Sequence, residues 1–250
     1  MNEPVSVSVC MATYNGSSHV EHQLRSILAE LAPADEVVVV DDASTDDTVA
    51  IIQAVGDDRV RIIRQDVNRG YVRTFEAALL AARGDVLLLS DQDDEWVPGR
   101  RALLVAAARS AGVAASNLEL LETGAPLPSP LTGRPWRLRA ATSGQRVRNE
   151  LRILTGAAPY FGCAIAVRRD MLAVITPFPA FLTESHDLWI ATVANATDRM
   201  SHVEAATVRR RIHEANASSS RPRGVRAAIG SRWMLVRAWA EALRRRSALR

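Results

Sequence analysis

From Val5 to Leu89 short apolar runs alternate with stretches in which apolar residues recur every three or four positions. Val5–Met11 reads as a strand and is followed by a polar break at Thr13–Ser18. Over His19–Leu31, the residues Val20, Leu24, Ile27, Leu28 and Leu31 fall at helical spacing, and Pro33 stops the helix. Glu36–Val40 is a run of apolar residues after its first position, ending in Asp41-Asp42, the pattern of a central parallel strand buried on both faces. Ser44-Thr45-Asp46-Asp47 supplies caps for a helix over Thr48–Val55. Val60–Arg64 predicts a third strand, Arg73–Ala82 a third helix, and Val86–Leu89 a fourth strand after Gly84. Such alternation predicts an α/β fold with a mostly parallel, Rossmann-like sheet flanked by helices.

The pattern beyond is less regular. The segment 123–136, rich in proline and glycine, reads as a loop. A helix near Gln145–Leu154, a strand near Gly162–Val167, a helix over about Glu184–Ala196 and a strand at Ala206–Ile212 complete the elements. No internal repeat is visible.

Composition narrows the classes. The 250 residues are 48% apolar and 24% charged, enough for one α/β domain and inconsistent with a disordered chain. No apolar run reaches the roughly 18 residues needed to cross a bilayer. The N-terminal stretch MNEPVSVSVCMATYNG has neither a basic n-region nor an apolar h-region, so a cytoplasmic protein is expected. Cys10 and Cys163 lie in apolar runs and read as buried thiols. All 31 basic residues are arginine, and charge is segregated: residues 1–125 carry a net of −10 and residues 126–250 a net of +13. An acidic first half is a poor match for nucleic acid, and no nucleic-acid partner is expected.

Ligands of open α/β sheets bind outside the carboxyl ends of the strands. Three polar clusters stand at those ends: Thr13-Tyr14-Asn15, Asp41-Asp42 and Ser90-Asp91-Gln92-Asp93-Asp94. The last places three carboxylates within four residues, the ligand type that hard divalent cations prefer. Because Mg²⁺ takes few protein carboxylates and completes its shell with substrate phosphates, the cluster suggests a metal–diphosphate site; a solvated acidic loop is the alternative.

The segments VSVCMATYNG, VVVVDDASTDDT, NRG at 68–70 and ARGDVLLLSDQDDEW resemble, in order and spacing, family 2 of the glycosyltransferases over about residues 5–100. Asp91-Gln92-Asp93-Asp94 followed by Trp96 and Pro98 resembles the rhamnosyltransferase-like branch, as do GCAIAVRRDM (162–171), SHDLWIA (185–191) and RRIHEAN (210–216). The resemblance implies the GT-A fold over residues 1–220, with a nucleotide-sugar-binding half at 1–115 and an acceptor-binding half at 116–220. It implies donor contacts from Ala12, Tyr14, Asn15, Asp42, Asn68, Arg73 and Asp91. It also implies Mg²⁺ or Mn²⁺ held by Asp91, Asp93 and His213, with Asp93 the more direct ligand, and Asp187 as general base of an inverting transfer. The implied donor is a dTDP- or UDP-linked sugar, rhamnose among the candidates, and the implied acceptor a hydroxyl of a glycan or lipid-linked intermediate in cell-envelope polysaccharide synthesis. Two positions depart from the branch: Thr74 stands where asparagine is usual, and Leu188 where a second aromatic is common.

The bare chemistry suits those roles. Glycosyl transfer requires stabilisation of a diphosphate leaving group and a base for the acceptor hydroxyl. Alternatives remain at individual residues: Asp187 near a helix start also serves the helix dipole, and Glu184, three residues earlier, is a rival base. His213 after Arg209–Arg211 reads as a phosphate-side histidine. A sugar-phosphate nucleotidyltransferase would require a glycine-rich basic loop after the first strand, which ATYNGSSH lacks, and a receiver domain would require a lysine. A non-catalytic nucleotide-sugar binder is the third reading.

Residues 221–250 lie beyond the resemblance and hold nine arginines against one acid, Glu241. Trp233, Val236, Ala240 and Leu243 share a helical face, the pattern of a basic amphipathic helix that lies on an anionic membrane, here at its inner face, or docks on the domain.

Overall fold

A computed structural model describes residues 5–212 and 225–249. The first half runs β1 (Val7–Thr13), α1 (Val20–Leu28), β2 (Glu36–Asp41), α2 (Thr48–Ala54), β3 (Val60–Arg64), α3 (Tyr71–Ala81), β4 (Val86–Ser90), β5 (Glu95–Trp96) and α4 (Arg100–Ala111). There follow β6 (Val113–Leu120), α5 (Arg146–Thr155), β7 (Ile165–Arg168), α6 (Leu172–Ile175), α7 (His186–Thr197), β8 (Met200–Arg210) and α8 (Val225–Arg245).

The strands form one sheet in the order β3-β2-β1-β4-β7-β6-β8-β5. β1 to β4 are parallel, β7 is antiparallel to both β4 and β6, and β8 runs parallel to β6. The all-apolar strands are explained by burial on both faces. Val7, Val9, Met11, Val37, Val39, Val86 and Leu88 pack in one layer with Leu24 and Ile27 of α1 and Leu104 of α4. Their alternates Cys10, Val38, Val40, Leu87 and Leu89 pack in the other layer with Phe75 and Leu79 of α3 and Trp189 and Val193 of α7. The α8 helix adds Met234, Leu235, Ala238 and Ala242 to this second layer.

Because one sheet runs through both halves, the expected boundary at 115/116 falls inside β6. Three elements carry no clear sequence signal. The α4 helix is alanine-rich with little contrast between its faces, β6 carries Ser116 and Asn117 in a buried strand, and β5 has only two residues. β8 begins at Met200, earlier than the expected Ala206, because its first residues pair with Val113–Ser116 ahead of a register shift. Gly162–Ala164 forms a 3₁₀ turn that shortens the expected strand to Ile165–Arg168.

Candidate active site

β1 lies between β2 and β4, so their carboxyl ends stand side by side where the chain reverses its direction of travel across the sheet. A cleft of about 630 Å³ opens there.

Its β2 side is held by buried carboxylates. Asp41, fully buried, accepts hydrogen bonds from the Thr13 hydroxyl (3.1 Å), the Ser44 N–H (2.9 Å) and the Ser44 hydroxyl. Asp42 accepts from the backbone N–H groups of Arg69 (2.7 Å) and Gly70 (2.9 Å), fixing the turn that carries Asn68. Asn15, at φ 47°, accepts from the Thr45 N–H through Oδ1 (2.9 Å), a left-handed position that asparagine tolerates. Before α2 the N-cap residue, Asp47, makes no side-chain cap bond; the preceding Asp46 instead accepts from the Thr48 N–H (3.1 Å) and from the Ser17 N–H (3.1 Å).

The β4 side carries the acidic loop. Ligand atoms of Asp91, Asp94 and Cys163 lie within 4.8 Å of one another, whereas Asp93 lines the cleft outside that tight group. Burial, then the neighbouring Asp94 and Asp93, push the Asp91 carboxyl well above its ordinary range. Burial and Asp93 push Asp94 up to about 6. Burial also raises the Cys163 thiol, which stays protonated and hydrogen-bonds with Asp94. Below the loop, the fully buried Arg100 donates to Thr207 Oγ1 (2.6 Å) and to the carbonyls of Leu89 (3.1 Å) and Cys163 (2.6 Å). Its charge offsets part of the acidic excess without forming a direct ion pair among the described residues.

A divalent cation fits this donor set. Asp94 is buried and its Oδ2 has no hydrogen-bond partner, and the raised carboxyls mark negative charge that the protein alone leaves uncompensated. Three carboxylates from one loop are hard oxygen ligands, and the protonated thiol is not needed among them.

The second half completes the lining. Asp187, in the first turn of α7, accepts from the Leu188 N–H (2.8 Å) and is pushed up to about 6 by burial. The adjacent His186 is buried, stacks on Phe75 at a centroid distance of 4.2 Å, and has no hydrogen-bond partner at either ring nitrogen. Burial lowers it to about 3, so it is a neutral imidazole. Gly162 permits this packing: a Cβ there would lie 2.6 Å from His186 Nε2.

The cleft thus gathers Ala12, Tyr14, Asn15, Asp42 and Asn68 with Asp91, Asp93 and Asp187. Arg73 does not join them. Its guanidinium donates to Glu76 (2.8 Å) and to the carbonyls of Phe178 (3.2 Å) and Pro179 (2.9 Å), clamping a loop. Glu184 accepts from the Ser231 hydroxyl and lines a separate hollow beside α8, as does Leu188. Thr74 lines the cleft, but its hydroxyl donates to the Gly70 carbonyl (3.0 Å). His213 lies outside the described residues. Residues with no individual role assigned from sequence also line the cleft: Gln92, which bonds the Tyr14 backbone, and Arg210, whose guanidinium lies 5.2 Å from the Phe161 ring centroid. A polar residue between carboxylates at a strand end was the available signal for Gln92.

Comparison with known proteins agrees with this architecture. The family model described as glycosyl transferase family 2 matches residues 8–174. The chain is 30% identical over 107 residues to a putative colanic acid biosynthesis glycosyl transferase, WcaA, of Escherichia coli, covering 42% of this chain and 38% of that protein. It is 37% identical over 128 residues to the succinoglycan biosynthesis protein ExoO of Rhizobium meliloti, covering 48% of this chain and 37% of that protein. These matches therefore span under half the length of each relative. The crystal structure of Staphylococcus aureus TarS with UDP-GlcNAc superposes with a TM-score of 0.67 at 21% identity, covering 96% of this chain and 72% of that one. The complex of the same protein with UDP gives a TM-score of 0.64 at 22% identity, over 84% and 61%. The fold is the GT-A fold, and the chain belongs to glycosyl transferase family 2.

Proposed function

We propose that the chain catalyses inverting, metal-dependent transfer of a sugar from a nucleotide-diphosphate donor to a hydroxyl of a glycan or lipid-linked acceptor. The carrying observation is that Asp187, pushed up to about 6, lines the same cleft as the acidic loop while coming from the other half of the chain, on α7. In this reading Tyr14, Asn15 and Asp42 line the base and ribose, and the diphosphate lies toward Asp91, Asp93 and Asp94 with Arg210 nearby. A divalent cation, when bound by those carboxylates, supplies positive charge to the departing diphosphate.

The acceptor oxygen attacks the anomeric carbon as Asp187 takes its proton, and the bond from that carbon to the diphosphate oxygen breaks. A base pushed up to about 6 is still ionised near neutral pH and strong enough to accept a proton. A single carboxylate on the face opposite the leaving group gives inversion. A UDP-linked donor is supported by the TarS complexes with UDP and UDP-GlcNAc; a dTDP-linked donor such as rhamnose rests on the branch resemblance alone. Cell-envelope polysaccharide synthesis is supported by the names of the colanic acid and succinoglycan relatives. The test is donor hydrolysis against a panel of UDP- and dTDP-sugars with Mg²⁺ or Mn²⁺. Release of nucleoside diphosphate from at least one sugar, abolished by EDTA, is expected, and no turnover of any donor overturns the reading.

A further inference from the structure

The α8 helix carries two apolar faces, and the structure covers one. Met234, Leu235, Ala238 and Ala242 are buried in the core layer of α7. On the opposite side of the helix, Ile229 (64% exposed), Trp233 (64%), Val236 (40%) and Leu243 (48%) stand in solvent. With Ala240 they follow the four- and three-residue spacing of a continuous stripe about 21 Å long. Arg232 borders it on one side; on the other stand Arg237, whose guanidinium lies 4.1 Å from the Phe181 ring centroid, and Arg244, which pairs with Glu241, all three residues remaining exposed. Glu241 faces the docked side, where it accepts from Arg244 and Arg245.

We propose that this stripe docks on an anionic lipid surface, laying α8 parallel to the membrane plane. A row of large apolar side chains with a tryptophan, rimmed on both edges by arginines, is the pattern that inserts into a headgroup boundary while its guanidiniums reach lipid phosphates. Charge selects this occupant over a second copy of the chain. A two-fold contact would set the arginine rims of two helices against each other, and the one carboxylate of the described part of α8, Glu241, is already shared by Arg244 and Arg245 of its own helix, leaving Arg232 and Arg237 without one on that helix. Among the described residues no helix is long and apolar enough to cross a membrane, so the contact is peripheral. Such docking keeps the cleft near a lipid-linked acceptor, but the proposal stands on the stripe and not on the transfer reaction.

The test is co-sedimentation of the full chain with vesicles of phosphatidylcholine, alone or with about a third phosphatidylglycerol, in the absence of any donor. Binding to the anionic vesicles, weakening as salt rises, is expected. The triple variant Ile229→Ser, Trp233→Ser, Leu243→Ser changes only exposed positions, and circular dichroism checks that it folds. It should bind at least about tenfold more weakly. No binding at low salt, or equal binding of the folded variant, overturns the proposal. So does a variant that lowers the oligomeric state in solution while neither protein binds vesicles, which assigns the stripe to a contact between copies.

Discussion

The side-chain amide of Gln92 bonds the backbone of Tyr14 twice: the Tyr14 N–H donates to Oε1 (2.9 Å) and Nε2 donates to the Tyr14 carbonyl (3.1 Å). The pairing imitates one rung of a strand ladder and ties the loop after β4 to the loop after β1, across the mouth of the cleft. Gly16 makes room for it, since a Cβ there would lie 2.2 Å from Gln92 Oε1. Gln92→Glu keeps the shape but turns an acceptor toward the Tyr14 carbonyl. The lost bond and the new repulsion should weaken nucleotide binding by roughly 10- to 100-fold, with little change in melting temperature. Isothermal titration with UDP and dTDP measures it; unchanged affinity for whichever nucleotide binds would separate this clamp from the donor site.

Asp187→Asn retains size and removes basicity. Transfer should fall by about 10²-fold or more with nucleotide affinity preserved. In the wild-type protein the rate should fall on the acid side with a midpoint near pH 6, because protonated Asp187 accepts no proton. Glu184, bonded to Ser231 outside the cleft, should tolerate Gln. If Glu184→Gln abolishes transfer and Asp187→Asn does not, the base is misassigned.

The acidic loop should respond to divalent cations as a unit. Mg²⁺ or Mn²⁺ should raise the melting temperature of the wild-type protein, and EDTA should reverse the gain. Asp91→Ala and Asp93→Ala should each remove most of the shift and the donor hydrolysis with it, Asp93→Ala the more severely. Asp94→Asn, which neutralises the carboxyl beside Cys163, should blunt the shift. A cation response that survives all three substitutions locates the binding elsewhere.

Arg100 is a buried cation whose charge faces those acids from beneath. Arg100→Met leaves the Leu89 and Cys163 carbonyls without their donor and removes that charge, and should destabilise the protein by about 3–5 kcal/mol in urea titrations. Unchanged stability would show that the acids, not the fold, are what Arg100 serves.

The first-half side of the cleft was readable because local pattern and tertiary position coincide there. The runs at Val37–Val40 and Val86–Leu89 are apolar at every position since both faces are covered, and each ends in the acids that line the cleft. The second half was less legible for a physical reason. Its site residues depend on contacts distant in sequence, as with Arg100 and Cys163, or His186 and Phe75. Arg73 illustrates the converse: its position in a family segment suggested a donor contact, while its guanidinium is taken up by carbonyls of the 178–179 loop. The periodicity of α8 identified the stripe through Trp233 and Leu243 but not that Met234 and Leu235, on the other side, anchor the helix.

Glu150 gives the fold a pH dependence separate from the cleft. Buried on α5, it accepts from the Thr192 hydroxyl (3.0 Å), while its Oε2 has no hydrogen-bond partner. Burial pushes its carboxyl from an ordinary 4.5 up to about 7. Between those values the folded protein binds more protons than the unfolded chain, so stability falls as pH rises through the window and the penalty is complete above about 7. The full penalty is of the order of 3 kcal/mol. Glu150→Gln keeps an acceptor for Thr192 and carries no charge at any pH. Chemical denaturation in EDTA, comparing pH 5 with pH 8, should show the variant losing less stability than the wild-type protein by about that amount. Asp187 and the acidic loop contribute a loss of the same sign in both proteins, so the difference between the two curves isolates Glu150. Parallel curves would mean that Glu150 is charged in the folded state at neutral pH and that its unpartnered oxygen is compensated by water.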